Sequence, residues 1–121
     1  MLKPDELSAD QLLRIVGRSM VDPTLDHSEH RRSPRFSVQV AVACRCLNDQ
    51  FQPLGESIDA TALNISASGI QFVNQQQAHT SKVLLTFRDE GGTPIEMMVE
   101  IVRRGKHGKH HVTAGRFMQP E

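Results

Sequence analysis

Along the middle of this chain hydrophobic and polar residues change places one by one: Phe36, Val38, Val40, Val42, Cys44 and Cys46 alternate with Ser37, Gln39, Ala41, Ala43 and Arg45. A period of two puts all the apolar side chains on one face of an extended backbone, so the run predicts a long strand with one buried face. Five further runs read as strands: about Glu56 to Ile65, Ile70 to Val73, Lys82 to Arg88, Ile95 to Arg104 and His111 to Met118. Turn signals separate them, around Asn48, Asp49, Pro53 and Gly55, at Ser66 to Gly69, at Gly91-Gly92 and at Gly105 to Gly108, with a polar loop from Asn74 to Ser81. Six strands with no helix among them predict a small antiparallel barrel or sandwich. Periodicity does not choose between the two.

Only the beginning of the chain has a helical period. Ser8 and Gln11 have the spacing of a capping box, Leu7 and Leu12 that of a hydrophobic staple, and Leu12, Leu13, Val16 and Met20 form a stripe. A short amphipathic helix from about Ala9 to Met20 is expected, lying against the main domain or a partner. Asp22, Pro23, Asp26, His27 and Ser28 then read as a linker. The chain therefore divides into residues 1–28, helix and linker, and a β-barrel domain over 29–121.

With 121 residues, 38% of them hydrophobic, the chain supports one domain of ordinary size rather than two. Its formal net charge is zero, so anion binding has to come from local clusters. Arg31, Arg32 and Arg35 form one; Arg103, Arg104, Lys106, Lys109 and Arg116 form another, in a stretch from Ile101 to Pro120 without an acidic residue. Cys44 and Cys46 point to the same face of one strand, where a disulfide would be badly strained, and are expected to be free thiols in the core. No apolar run approaches the roughly 20 residues that span a bilayer, and a basic-then-apolar leader is missing, so the expected compartment is the cytoplasm. The absence of Trp and Tyr argues against a single-strand nucleic-acid binder, which stacks bases on exposed aromatic rings.

Two segments hold the chemistry. In Arg31-Arg32-Ser33-Pro34-Arg35 the guanidinium forks suit phosphate oxygens or the O6/N7 edge of guanine. Pro34 biases Ser33 away from helix, so these arginines are expected on an arm that becomes ordered over an anion. In Asn64-Ile65-Ser66-Ala67-Ser68-Gly69, Asn64 and Ser66 share one face near a strand end while Ile65 enters the core. Gly69 is expected to supply a positive φ and to let a flat ring approach the backbone. Taken singly, the first segment reads rather as a solvated basic linker and the second as an ordinary turn; the two together, in this order, point to a ligand.

Arg-x-x-x-Arg followed by Asn-x-Ser-x-x-Gly resembles the PilZ domain, a bacterial receptor module for cyclic di-GMP. The resemblance runs from about Glu29 to Met118 and includes the long first strand and a closing Gly115-Arg116-Phe117. It implies a six-stranded antiparallel PilZ-type β-barrel, here with a short N-terminal helix. It also implies that Arg31 and Arg35 bind phosphates and guanine edges, with Arg32 as an additional contact, and that Asn64, Ser66 and Gly69 receive a guanine. Asn64 stands where many members have Asp, which accepts from guanine N1–H and N2–H together, whereas Asn accepts through one oxygen. The chain ends just after the last strand, where many members continue into a helix.

His107, His110 and His111 match no strong zinc spacing, and no metal is expected. Walker, Gly-x-Ser-x-Gly and His-Glu-x-x-His motifs are missing, so no enzyme is expected and no cofactor beyond the ligand. The function implied is a non-enzymatic receptor or adaptor that couples cyclic di-GMP binding to a conformational change and to an unidentified protein partner. The alternatives are a PilZ-like interaction adaptor that binds no nucleotide and, less favoured, a small nucleic-acid-binding barrel.

Overall fold

Burial of alternate residues, the period read above, turns six strands inward around a common axis. A computed structural model describes residues 2–18, 25–26, 35–76, 80–88 and 91–121. It contains β1 (Leu2–Pro4), α1 (Ala9–Arg18), β2 (Leu25–Asp26), β3 (Arg35–Leu47), β4 (Pro53–Ile65), β5 (Gly69–Asn74), β6 (Lys82–Arg88), β7 (Pro94–His107) and β8 (His110–Pro120). The sheet runs β8-β5-β4-β3-β6-β7, all antiparallel, and β7 pairs back with β8. The ring of pairings is closed. That is the barrel of the two expected alternatives.

Inside, Val38, Val40, Val42 and Cys44 of β3 face Phe72, Phe87, Phe117 and Val99 from the other walls in one hydrophobic cluster. Cys44 and Cys46 are free thiols of this core. Burial pushes the Cys44 thiol up to about 12, with a smaller contribution from neighbouring Cys46. Asn74 also points inward, and neither atom of its amide has a partner among the described residues.

The capping box forms as expected: Gln11 N donates to Ser8 Oγ at 3.1 Å and Ser8 N to Gln11 Oε1 at 2.9 Å. The buried stripe differs from the expected one. Ile15 and Val16 are buried, with Leu12 packed beside them, whereas Leu13 is 67% exposed. Leu12, Ile15 and Val16 stand at i, i+3 and i+4, and Leu13 lies about 100° further round the helix than Leu12. Met20 lies outside the described residues. The helix joins the barrel core, and β1 pairs with Met118–Pro120 of β8.

Two short strands have no counterpart in the hydrophobic pattern, β1 and β2; the latter falls within the expected linker and pairs with Arg35 and Phe36. β7 also runs through Gly105 to His107, so the turn is made by Gly108 (φ 62°) and Lys109 rather than by the whole glycine-flanked segment.

Candidate functional site

The wall formed by β4, β5, β8 and the outer half of β7 bears a cleft of about 550 Å³, lined by Arg35, Asn64, Ser66, Gly69, Gln71, Arg103 and Arg116 among others. Two irregularities in strand pairing place these side chains. Along β4, Ala60 and Ala62 are buried, so strict alternation would send Asn64 into the barrel. Leu63 is an extra residue between the pairs Ala62↔Phe72 and Asn64↔Gln71. This bulge shifts the phase by one, so that Ile65 is buried instead and Asn64 stands on the outer face. In β7 the same happens at Val102, the unpaired residue between Ile101↔Gly115 and Arg103↔Ala114.

The registers line up one row across the outer face: Arg103 opposite Ala114, Ala114 opposite Gln71, Gln71 opposite Asn64, and Asn64 opposite Ser37. An adjacent row holds Glu100, Arg116 and Gly69. Arg116 Nε donates to Glu100 Oε1 at 3.2 Å, which partly neutralises it. Between the arginines the floor is Gly69, Ala114 and Gly115, and Val102, 57% exposed, forms an apolar rim. The arrangement is flat, small at its centre and cationic at its edges, a shape that admits a planar ring bearing an anion.

Ser66 shapes the turn. Its Oγ accepts from Gly69 N at 3.1 Å and from Ser68 N at 3.3 Å, while Ser66 N donates to the Gly69 carbonyl at 2.9 Å. From outside the turn, Leu7 N donates to the Ala67 carbonyl and Phe117 N to that of Ser68. Asn64 is half-buried, and its Nδ2 donates to Gln71 Oε1 at 2.7 Å. Gly69 corrects the sequence reading: only Gly55, Gly92 and Gly108 have positive φ among the described glycines. A Cβ at Gly69 would lie 2.8 Å from the Gly115 carbonyl oxygen, so the glycine serves the close approach of β5 to β8.

Of the expected site residues, Arg35, Asn64, Ser66 and Gly69 line this one cleft. Arg31 and Arg32 lie outside the described residues. The second basic cluster divides: Arg103 and Arg116 reach the cleft, Arg104 Nη2 donates to the Thr80 carbonyl at 2.6 Å, and Lys106 and Lys109 stand exposed on the hairpin. Sequence reasoning singled out neither Gln71 nor Val102. The acid-free stretch flagged Arg103 as charged, but only the bulge and the register assign it to this face.

A family model of the PilZ domain matches residues 29–119. No curated protein matches the chain. Among solved structures, that of the Bacillus subtilis inhibitor of motility (MotI/DgrA) is similar, with a TM-score of 0.55 at 19% identity over 74% of this chain. This chain spans 43% of that protein, and at such identity the likeness is one of fold. With the family model covering well over half of its length, the chain belongs to the PilZ domain family, a family of cyclic di-GMP receptors.

Proposed function

We propose that this chain is a cyclic di-GMP-binding receptor or adaptor whose occupancy alters a contact with a protein partner. The observation that supports it most is the meeting of Arg35, from the end of the Arg-x-x-x-Arg segment, with Asn64, Ser66 and Gly69 around one cleft. In this reading the Arg35 guanidinium grips a phosphate or the guanine O6/N7 edge, and Arg31 and Arg32 close over the ligand from the arm. Asn64 accepts from a guanine N–H. The small floor of Gly69, Ala114 and Gly115 receives the ring, Val102 flanks it, and Arg103 adds positive charge opposite Arg35. Nothing in this set of groups calls for a chemical step, and the output is binding.

Titration calorimetry with cyclic di-GMP tests the proposal. Arg35→Ala is expected to lose at least ~1.5 kcal/mol, about tenfold in affinity, because a charge-assisted contact disappears. Absence of heat or of a thermal shift at several hundred micromolar ligand would refute the receptor reading and leave the nucleotide-free adaptor. RNA binding that weakens steeply with salt would point to the nucleic-acid alternative.

A further inference from the structure

Asn64 presents a physical problem to any guanine reader. An amide side chain has one accepting and one donating end of nearly equal size, so rotation by half a turn about its last bond swaps an acceptor for a donor. A carboxylate has no such ambiguity. For Asn64 to accept a guanine N–H reliably, something has to hold its NH2 group away from the ligand.

Gln71 carries an amide of its own, and with Oε1 rather than Nε2 turned toward Asn64 it is placed to do this. It stands directly opposite Asn64 in the β4–β5 ladder, on the same outer face, and lines the same cleft. Its Oε1 accepts from Asn64 Nδ2 at 2.7 Å, while Asn64 Oδ1 has no partner among the described residues. The Leu63 bulge sets this pairing: by delaying the phase of β4 it turns Asn64 outward at the same position where Gln71 of β5 faces it. Gln71 lies two residues beyond the Gly69 of the motif.

We infer that Gln71 is a positioning residue for Asn64: by occupying the amide NH2 it presents Asn64 Oδ1 to the cleft as a hydrogen-bond acceptor for a guanine N–H. The inference rests on the receptor reading above. A bulge-set amide pair does here what one carboxylate oxygen does unaided, and the lock matters only while residue 64 is an amide. In an Asn64→Asp variant the carboxylate offers an acceptor in either rotation, and Gln71 then has nothing to orient.

The test is a double-mutant cycle by calorimetry with cyclic di-GMP on the full chain, using Gln71→Met, which keeps the length of the side chain and removes its polar end. In the wild-type background Gln71→Met is expected to weaken binding about fivefold, the worth of one ligand hydrogen bond. In the Asn64→Asp background the same change is expected to cost less than twofold, a rescue that a merely structural role for Gln71 does not produce. Equal losses in both backgrounds, or no loss in either, would overturn the inference while leaving the receptor reading intact. Binding by Asn64→Asp alone, with none by the wild type, would also overturn it, because Asn64 would then not present an acceptor. No binding by either background would remove the receptor reading and this inference with it. Melting temperatures of all four proteins accompany the titrations, so a loss of folding is separated from a loss of contact.

Discussion

Replacing Gly69 by alanine separates two roles that one motif glycine has been given, admitting a ligand and admitting a neighbouring strand. The added Cβ would sit 2.8 Å from the Gly115 carbonyl oxygen, well inside the 3.4 Å at which ordinary contact begins. Neither backbone is free to withdraw, because β5 and β8 are held in register from Gly69↔Arg116 to Asn74↔His111 and Phe117 N is bonded to the Ser68 carbonyl. Overpacking against a fixed wall costs typically about 1–3 kcal/mol. For a domain of this length each kcal/mol lowers the melting temperature by about 3–6 °C, so a drop of roughly 5–15 °C is expected. The measurement is a calorimetric melt of Gly69→Ala without ligand. Unchanged melting combined with lost cyclic di-GMP binding would refute the packing argument and return the glycine to the ligand. Gly115→Ala provides the steeper comparison, since its Cβ would collide with Val99 Cγ1 and lie 2.7 Å from the Glu100 carbonyl oxygen.

Three further outcomes follow from the fold. Ile15, 1% exposed in the shared core, should cost about 2 kcal/mol or more as Ile15→Ala in urea unfolding, whereas a change below ~0.5 kcal/mol would show that α1 is not part of the cooperative unit. Ser8→Ala should cost about 1 kcal/mol by the same measurement, through loss of its bond to Gln11 N, and Ser8→Asp should restore most of it. The Cys44 thiol, raised from about 9 to about 12, stays protonated in the folded chain where the unfolded chain has released the proton. Its contribution is therefore complete below about pH 9 and is lost as the pH climbs from there to about 12, with a limiting slope of about 1.4 kcal/mol per pH unit. Denaturation curves at pH 8 and 10 should show this fall in the wild type and a smaller one in Cys44→Ala.

The alternation of Val38, Val40, Val42 and Cys44 was readable without a structure because a strand buried on one face imprints its period on the residue types. The pair Asn64 and Ser66 was readable for the same local reason, with Ile65 between them as the inward marker. What lies between readable stretches was not. The phase change at Leu63 leaves no signature, since Leu suits either face of β4, and it is visible only against the ladder to Phe72 and Gln71. Arg103 could not be told from Arg104 until the Val102 bulge decided which of them faces Ala114. In α1 the residue types themselves misled: Leu12 and Leu13 look alike, and the position of Ile15 decides between them only once the helix meets the barrel. β1 and β2 are too short to have a period, and their partner strands, not their composition, make them strands.

The bond from Leu7 N to the Ala67 carbonyl, 2.8 Å long, crosses from the N-terminal segment to the turn that ends in Gly69. Asp5 N makes a second tie, to the Phe117 carbonyl, so residues 5–7 are stitched to the edge of the wall that bears the cleft, where β8 runs on past the start of β5. Peeling that segment away and loosening the turn break the same bond, and two events that share a bond are thermodynamically linked. An occupant that stiffens the Ser66–Gly69 turn is expected to slow solvent exchange of the Leu7 amide. By the same factor, a protein that captured the N-terminal segment would loosen whatever the cleft was holding. The exchange rate of the Leu7 amide proton, with and without ligand, is therefore the measurement that reads this linkage.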